Sequence, residues 1–213
     1  MLLNYKSIIF DCDGVLLNSN NIKSQAFFEI GKNFGEDKGK ALLNYHRVNG
    51  GISRNEKFTH FITKILNKEF NEKIYNDLLN QYSSYVFNKL LSCEVTHNLE
   101  NLRKLDNKKW FIVSGGNENE LIKVFKKRQM LDYFDGGIYG SPRNKIEIFK
   151  NLIEDKKISN PAIYLGDSKY DYYASKEYGI DFTFIYNWTE LKEWKKFCLS
   201  NKIKFAREVK CLF

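Results

Sequence analysis

Five short apolar runs recur along the chain, each bounded by glycine, proline or polar residues. They are "IIF" (8–10), "WFIVSGG" (110–116), "GGIYGSP" (136–142), "PAIYLGD" (161–167) and "DFTFIYN" (181–187). Between most of them lie polar stretches with helical periodicity, such as "NENELIKVFKKRQMLDYF" and "RNKIEIFKNLIEDKKI". Strands that alternate with helices indicate a parallel sheet, and continuous apolar runs indicate strands covered on both faces. The sequence therefore predicts an α/β fold with a Rossmann-like parallel-sheet core.

One interval breaks this alternation. Residues 20–91 contain no strand-like run but several helical patterns, "KSQAFFEIGKNF", "NEKFTHFITKILN" and "EKIYNDLLNQYSSYVFNKLL". This helical insertion directly follows the first apolar run. We expect residues 1–18 and 92–213 to form the α/β core and residues 19–91 to form a smaller helical domain.

Composition excludes several functional classes. The chain of 213 residues carries a net charge of +8, but its lysines are interleaved with acids and form no basic arm, so a nucleic-acid site is not expected. No segment resembles a membrane span or a signal peptide, which predicts a cytoplasmic protein without a membrane partner. The four cysteines show no metal or disulfide spacing. A monomer is favoured.

Polar residues follow the predicted strands where a ligand site would form. In open α/β sheets the binding crevice lies at the carboxyl ends of the strands. Acids, a hydroxyl, glycines and a lysine occupy these positions: Asp11, Asp13, Ser114, Gly115, Gly116, Lys145, Asp167 and Asp171. Two close carboxylates at Asp11 and Asp13 repel each other unless a cation lies between them. A calcium loop is excluded, because its sixth and twelfth positions would be Leu16 and Ile22.

The segments "DCDGVLLNS", "FIVSGG" and "GDSKYD", together with Lys145, resemble the four motifs of the haloacid dehalogenase-like superfamily of phosphohydrolases. The helical insertion resembles that superfamily's cap in its most common position. The resemblance covers nearly the whole chain and is to members of the phosphoglycolate phosphatase and β-phosphoglucomutase type. It implies the superfamily's α/β fold and a small phosphorylated metabolite as substrate.

The resemblance also implies a role for each motif residue. Asp11 would be the nucleophile that forms an aspartyl-phosphate, and Asp13 the general acid and base. Mg²⁺ would be held by the side chains of Asp11 and Asp167 and by the backbone carbonyl of Asp13, with Asp171 behind them. The phosphate-binding group would be Ser114 and the amides of Gly115 and Gly116, and Lys145 would balance charge.

Some of these residues have structural alternatives. Ser168 with Asp171, and Asn117 with Glu120, also fit helix capping boxes. In the insertion, "HRVNGGISRNEKF" (46–58) places Ser53 and Arg54 at a helix start. Both could contact substrate, or Ser53 could cap the helix while Arg54 is solvated. His46 and His60 have no partner spacing and are expected to be structural, as is the segment 187–194.

The predicted function is a Mg²⁺-dependent phosphatase that hydrolyses a small phosphomonoester, such as a sugar phosphate or a phosphoglycolate-like compound. A sugar phosphomutase of the β-phosphoglucomutase type would share all four motifs. A non-catalytic domain of the same fold is the other alternative, although a binding module gains nothing from clustered acids.

Overall fold

The structure is a computed structural model that describes residues 2–213. Within these residues, six strands form a single sheet in the order β3-β2-β1-β4-β5-β6, and every neighbouring pair is parallel. The strands are β1 (Ser7–Phe10), β2 (Lys109–Asn117), β3 (Gly137–Ser141), β4 (Ala162–Gly166), β5 (Asp181–Ile185) and β6 (Lys204–Ala206). The predicted α/β class with a parallel sheet is confirmed.

The central strand β1 aligns its neighbours so that the strand ends lie side by side. Phe10 pairs with Ile112 of β2 on one side and with Leu165 of β4 on the other. All four residues of β1 are buried, as expected for a strand covered on both faces. Consequently the residues that follow β1, β2 and β4 emerge at the same edge of the sheet.

The sixth strand was not predicted from the sequence. Strand β6 has only three residues, and of these only Ala206 is buried. It pairs with β5 at the edge of the sheet, where one neighbour supplies all of its hydrogen bonds. A strand this short and this exposed has no apolar run that could reveal it.

Helices α5 to α9 cover the sheet, and helices α1 to α4 form the insertion. The covering helices are α5 (Leu99–Leu105), α6 (Glu118–Lys127), α7 (Lys145–Glu154), α8 (Lys169–Glu177) and α9 (Trp194–Ser200). Those of the insertion are α1 (Asn20–Lys32), α2 (Glu36–Val48), α3 (Arg54–His60), a π-helical turn (Phe61–Ile65) and α4 (Glu72–Ser92). Short 3₁₀ turns occupy Leu131–Tyr133 and Val209–Leu212.

The helical character of the insertion agrees with the sequence patterns, with two differences. Helix α2 had no recognisable pattern, because it buries only Gly39, Leu42 and His46. The pattern at 55–67 gives a short α-helix that continues into the π-helical turn instead of one regular helix. A separate domain at residues 19–91 stays a prediction.

The apolar interior of the insertion is continuous with one face of the sheet. Phe27, Phe58 and Tyr82 from the insertion belong to the same buried cluster as Phe10 and Trp110 from the strands. A second cluster fills the opposite face of the sheet. Across residues 2–213, no helix has both the length and the apolar character that a membrane crossing requires.

Candidate active site

The two aspartates after β1 occupy different environments although only one residue separates them. Asp11 is 3% exposed and lies where β1 ends, with its amide donating to the carbonyl of Leu165. Asp13 enters a turn completed by Gly14, whose φ of +76° favours glycine. A Cβ at Gly14 would lie 2.2 Å from Asp167 Oδ2. The glycine therefore lets the chain after β1 approach the carboxylate at the end of β4.

Lys145 connects the strand ends as a buried ion-pair centre. It is the first residue of α7, whose start is fixed by a capping box between Asn144 and Glu147. Its ammonium group lies 3.0 Å from Asp11 Oδ2 and also contacts Asp171 Oδ1. A lysine with a fully buried side chain needs such partners, because an unpaired buried charge is costly. Lys145 is thus placed against the acids, as the motif resemblance implies.

Asp171 holds this arrangement from behind. Its Oδ2 accepts hydrogen bonds from the amides of Asp167 (3.2 Å) and Ser168 (3.0 Å), and from the Ser168 hydroxyl at 2.7 Å. Its Oδ1 meets Lys145 and, at 2.8 Å, the Tyr164 hydroxyl. The Ser168–Asp171 capping box is present, so Asp171 caps α8 and orients Lys145 at the same time.

Burial and mutual repulsion disfavour the charged forms of the acids at the centre. Burial raises the pKa of Asp11 to about 7; Asp171 and Asp13 add to this, against the opposing charge of Lys145. Burial and the nearby Asp11 raise the pKa of Asp167 well above its usual range. The pKa of Lys145 is raised by Asp11 and Asp171, although burial opposes this.

Asp13 is instead stabilised as a carboxylate. Burial by itself would raise its pKa, but the ammonium group of Lys23 and the hydroxyl of Ser19 lower it. Lys23 lies on α1 and forms an ion pair with Asp13 Oδ2, while Ser19 donates to Oδ1. The insertion therefore sets the protonation state of one of the two motif acids.

The donor set fits a divalent cation. Oxygens of the buried Asp11, Asp167 and Asp171 lie within 4.8 Å of one another. Four carboxyl groups meet here, counting Asp13, and only two ammonium groups contact them, so full ionisation of the acids would leave an excess of two negative charges. Mg²⁺ prefers such oxygen ligands and uses one or two carboxylates. Asp11 and Asp167 line the cavity whereas Asp171 does not, so Asp11 and Asp167 would hold the ion.

The end of β2 offers backbone amides in front of a helix. Gly115 and Gly116 line the cavity above Asp11. The buried Ser114 hydroxyl accepts from the Gly116 amide at 3.1 Å, and Asn117 caps α6 by accepting from the Glu120 amide at 3.0 Å. Amides at a helix start suit a phosphate group. The Glu120 side chain does not complete the predicted capping box, because its carboxylate contacts Arg54 instead.

A cavity of about 260 Å³ lies between the strand ends and the insertion. Its floor includes Asp11, Asp13 and Asp167, and its roof comes from α1, α2 and α3. Residues 49–52, here called the glycine loop, rest directly on the strand ends. A Cβ at Gly115 would lie 2.4 Å from the Gly51 carbonyl oxygen. This volume is near the lower limit of small-molecule sites, so it suits a small metabolite.

The two residues singled out in the insertion behave differently from each other. The Ser53 hydroxyl caps α3 by accepting from the Glu56 amide at 3.2 Å, as the structural alternative predicts. Arg54 is not solvated. It lines the cavity, is 7% exposed, and pairs with Glu120 of α6 at 3.1 Å. Arg54 thus joins the insertion to the core across the cavity.

Sequence reasoning missed several residues around this cavity. Asn20 donates to Asp167 Oδ2 at 2.7 Å, and Lys23 pairs with Asp13. His46 and Lys57 line the roof, and Glu190 of the segment expected to be only structural lines the rim. None lies at a strand end or at a characteristic spacing. Only the position of Asn20 and Lys23 just after the first motif could have drawn attention to them.

Comparisons with known proteins give a consistent result. The family model described as haloacid dehalogenase-like hydrolase matches residues 8–185. The fold is similar to a β-phosphoglucomutase from Clostridium difficile, with TM-score 0.74, 20% identity and coverage of 98% of this chain and 93% of that one. A predicted phosphatase from Clostridium acetobutylicum has TM-score 0.74 and 18% identity, with 98% and 96% coverage. A predicted phosphoglycolate phosphatase from Haemophilus somnus has TM-score 0.70 and 18% identity, with 97% and 96% coverage. A search of curated proteins found no match.

Proposed function

This chain belongs to the haloacid dehalogenase-like hydrolase family, and we propose that it is a Mg²⁺-dependent phosphatase of small phosphomonoesters. The observation that carries the proposal is the position of Asp11. Its carboxyl group lies on the floor of the cavity, 3.0 Å from the ammonium group of Lys145 and within 4.8 Å of Asp167. A nucleophile, a balancing cation and a site for a divalent ion therefore meet at one point.

The first half of the reaction transfers the phosphoryl group to the protein. An oxygen of Asp11 attacks phosphorus, and the bond between phosphorus and the ester oxygen breaks. The leaving oxygen takes a proton from Asp13, so that an alcohol departs. Lys145 and the amide of Gly115 offset negative charge on the phosphoryl oxygens, whereas the Gly116 amide donates to the Ser114 hydroxyl in this structure. Mg²⁺, when bound, supplies further charge neutralisation and orients the phosphate.

The second half regenerates the carboxylate of Asp11. Water attacks the phosphorus of the aspartyl-phosphate and gives one proton to Asp13, and inorganic phosphate leaves. Lys23 lowers the pKa of Asp13 in this structure, which favours the carboxylate that this step requires. The first half needs the protonated form, so Asp13 must acquire its proton in the substrate complex. These two roles require the Asp13 carboxyl group to lie beside the leaving ester oxygen in the first half and beside the attacking water in the second.

The test is phosphate release from a panel of phosphomonoesters, with Mg²⁺ and with EDTA. We expect metal-dependent release, and a loss of about 10³-fold or more in Asp11→Asn, which keeps the shape of the side chain. Asp77→Asn is the matched control, because Asp77 is exposed on α4. Equal release from Asp11→Asn and wild type would refute the proposal.

The mutase alternative differs in the lifetime of the phosphoenzyme. A mutase must protect its aspartyl-phosphate from water until the substrate has turned over. Conversion of a sugar phosphate to its isomer, with little phosphate released, would therefore favour a mutase over a phosphatase. If no phosphate is released, no sugar phosphate is isomerised and Asp11→Asn binds every ligand as wild type does, a non-catalytic binding domain would be favoured.

A further inference from the structure

Lys57 is a buried lysine in the roof of the cavity. It lies on α3, is 3% exposed, and lines the same cavity as Asp11 and Asp13. Its amino group is 2.8 Å from His46 Nδ1 and 5.4 Å from the centre of the Phe27 ring. Within residues 2–213, no carboxylate lies within 4.0 Å of this amino group. Its surroundings thus supply one neutral acceptor and an aromatic face.

Three other basic side chains of the cavity wall differ from Lys57 in this respect, and a fourth, Lys169, has no carboxylate partner among the described residues but is exposed to solvent. Lys23 is paired with Asp13, and Arg54 is paired with Glu120. Arg47, which is more exposed, lies 3.7 Å from Glu190. A buried cation normally has a partner of this kind, because burial without one is costly. The absence of such a partner leaves the Lys57 amino group free to pair with an anionic group of a ligand in the cavity.

His46 orients Lys57 but does not replace a carboxylate. Burial, reinforced by the positive charge of Lys57, lowers the pKa of His46 well below its usual range, so its ring is neutral. The ring packs against that of Phe27, with 4.5 Å between the ring centres and the planes tilted by 33°. With Nδ1 accepting from Lys57, the proton of the neutral ring lies on Nε2. Lys57 retains further N–H donors for a ligand.

We propose that Lys57 binds a carboxylate of the substrate, and that the enzyme therefore acts on a small phosphorylated carboxylic acid. This inference rests on the proposed function and narrows its substrate class. The phosphate would lie on the floor at Asp11, and the carboxylate would lie at the roof beside Lys57. His46 is the positioning residue.

A carboxylate fits this site better than a second phosphate or a sugar hydroxyl does. When protonated, Lys57 supplies a single positive charge, which a carboxylate matches, whereas a phosphate dianion would need further cationic donors. The guanidinium of Arg54, which is suited to bidentate phosphate binding, is already engaged by Glu120. A hydroxyl would leave the buried charge without a counter-ion. The cavity of about 260 Å³ also favours a short acid.

The binding test uses two ligands that differ only in the carboxylate. 3-Phosphonopropionate has the length of phosphoglycolate with a CH₂ in place of the ester oxygen, and propylphosphonate carries a methyl group instead of the carboxylate. Titration calorimetry with Mg²⁺ present should show at least about 30-fold tighter binding of 3-phosphonopropionate by wild type. In Lys57→Met this preference should fall below about 3-fold. Lys64→Met, which removes an exposed lysine of the same insertion, should retain it.

Turnover separates this inference from the proposed function. Phosphoglycolate and ethyl phosphate form the corresponding pair of esters, and the ratio of their kcat/KM values is the readout. Hydrolysis of both with a ratio unchanged by Lys57→Met would overturn the carboxylate site and leave the phosphatase intact. A ligand preference that depends on Lys57, without hydrolysis of any ester, would support the site and overturn the phosphatase. Tighter binding of 1,2-ethylenebisphosphonate than of 3-phosphonopropionate would replace the carboxylate by a second phosphate.

A second variant at position 57 allows the comparison to be made if Lys57→Met does not fold. Lys57→Met should fold, because an apolar chain of similar length replaces an unpaired buried cation. If its melting curve shows otherwise, Lys57→Gln repeats the comparison with a neutral polar side chain. His46→Gln should weaken binding of 3-phosphonopropionate and leave binding of propylphosphonate within about 3-fold of wild type. An equal effect of His46→Gln on both ligands would overturn its positioning role.

Discussion

Replacing Lys57 by methionine should stabilise the ligand-free protein at neutral pH and change how its stability depends on pH. Burial lowers the pKa of Lys57 from 10.5 to about 7, and the charge of Lys23 contributes. The charged and titratable groups that act on it come from several elements: Asp13, Lys23, His46, Glu56 and Lys145. Methionine carries no charge and does not titrate, so it removes this contribution to the pH dependence of stability.

The direction in which the free energy of unfolding changes with pH follows from how many protons the folded and unfolded states bind. Between pH 7 and pH 10.5 the unfolded chain keeps the proton on Lys57 while the folded protein has lost it. The unfolded state binds more protons, so the free energy of unfolding rises with pH in this window. Below pH 7 both states are protonated, and the full cost of burying the charge is present.

The magnitude follows from the same two pKa values. Each unit of difference is worth about 1.4 kcal/mol. Between pH 7 and pH 9 the wild-type protein should gain on the order of 2 kcal/mol from Lys57 alone. The difference in unfolding free energy between Lys57→Met and wild type should therefore decrease by that amount over this interval.

Urea unfolding at pH 7 and pH 9, in EDTA, measures this difference directly. Lys64→Met is the control, because its exposed lysine should leave the pH dependence parallel to that of wild type. The reasoning would be refuted if Lys57→Met and wild type changed in parallel between the two pH values. A larger stability of wild type at pH 7 would refute the claim that Lys57 lacks a partner.

Three further perturbations test the buried ion pairs of Lys145, the proposed metal site and the contact between Gly115 and the glycine loop. Lys145→Met leaves two buried carboxylates without their cation and should cost about 3–5 kcal/mol in urea unfolding; a loss below about 1 kcal/mol would contradict the buried ion-pair assignment. Mg²⁺ at 100 times its Kd should raise the melting temperature by roughly 5–10 °C, and Asp167→Asn should abolish the shift. Gly115→Ala places a Cβ 2.4 Å from the Gly51 carbonyl oxygen and should lower kcat/KM about 10- to 100-fold. Gly50→Ala, whose Cβ would meet its nearest neighbour at 3.5 Å, should remain near wild type.

The floor of the site could be predicted from the sequence because parallel topology determines it. Asp11 and Asp167 directly follow apolar runs, and strands that pair in register bring such positions to one edge. Lys145 was predicted by its place in the motif order, and the structure puts it against Asp11. In each case the position along the chain and the position in space are linked by a strand.

The roof could not be predicted, because no comparable rule links its residues. Lys23, His46 and Lys57 lie on three different helices, and they meet only through the packing of α1, α2 and α3. His46 has no spacing that sets it apart from a structural histidine. The one recognisable feature, the "GGISR" segment, drew attention to Arg54, which is engaged by Glu120.

Lys23 and Lys57 line the same cavity, but their pKa values are shifted in opposite directions. Asp13 raises the pKa of Lys23, whereas burial without a carboxylate lowers that of Lys57 to about 7. The floor has a cluster of carboxyl groups that a divalent ion can bind, and the roof has a lysine without a carboxylate partner in the described chain that a ligand carboxylate can pair with. A substrate with a phosphate at one end and a carboxylate at the other would satisfy both ends together. The distribution of charge in the cavity would then orient such a substrate with its phosphate ester at Asp11 and its carboxylate at Lys57.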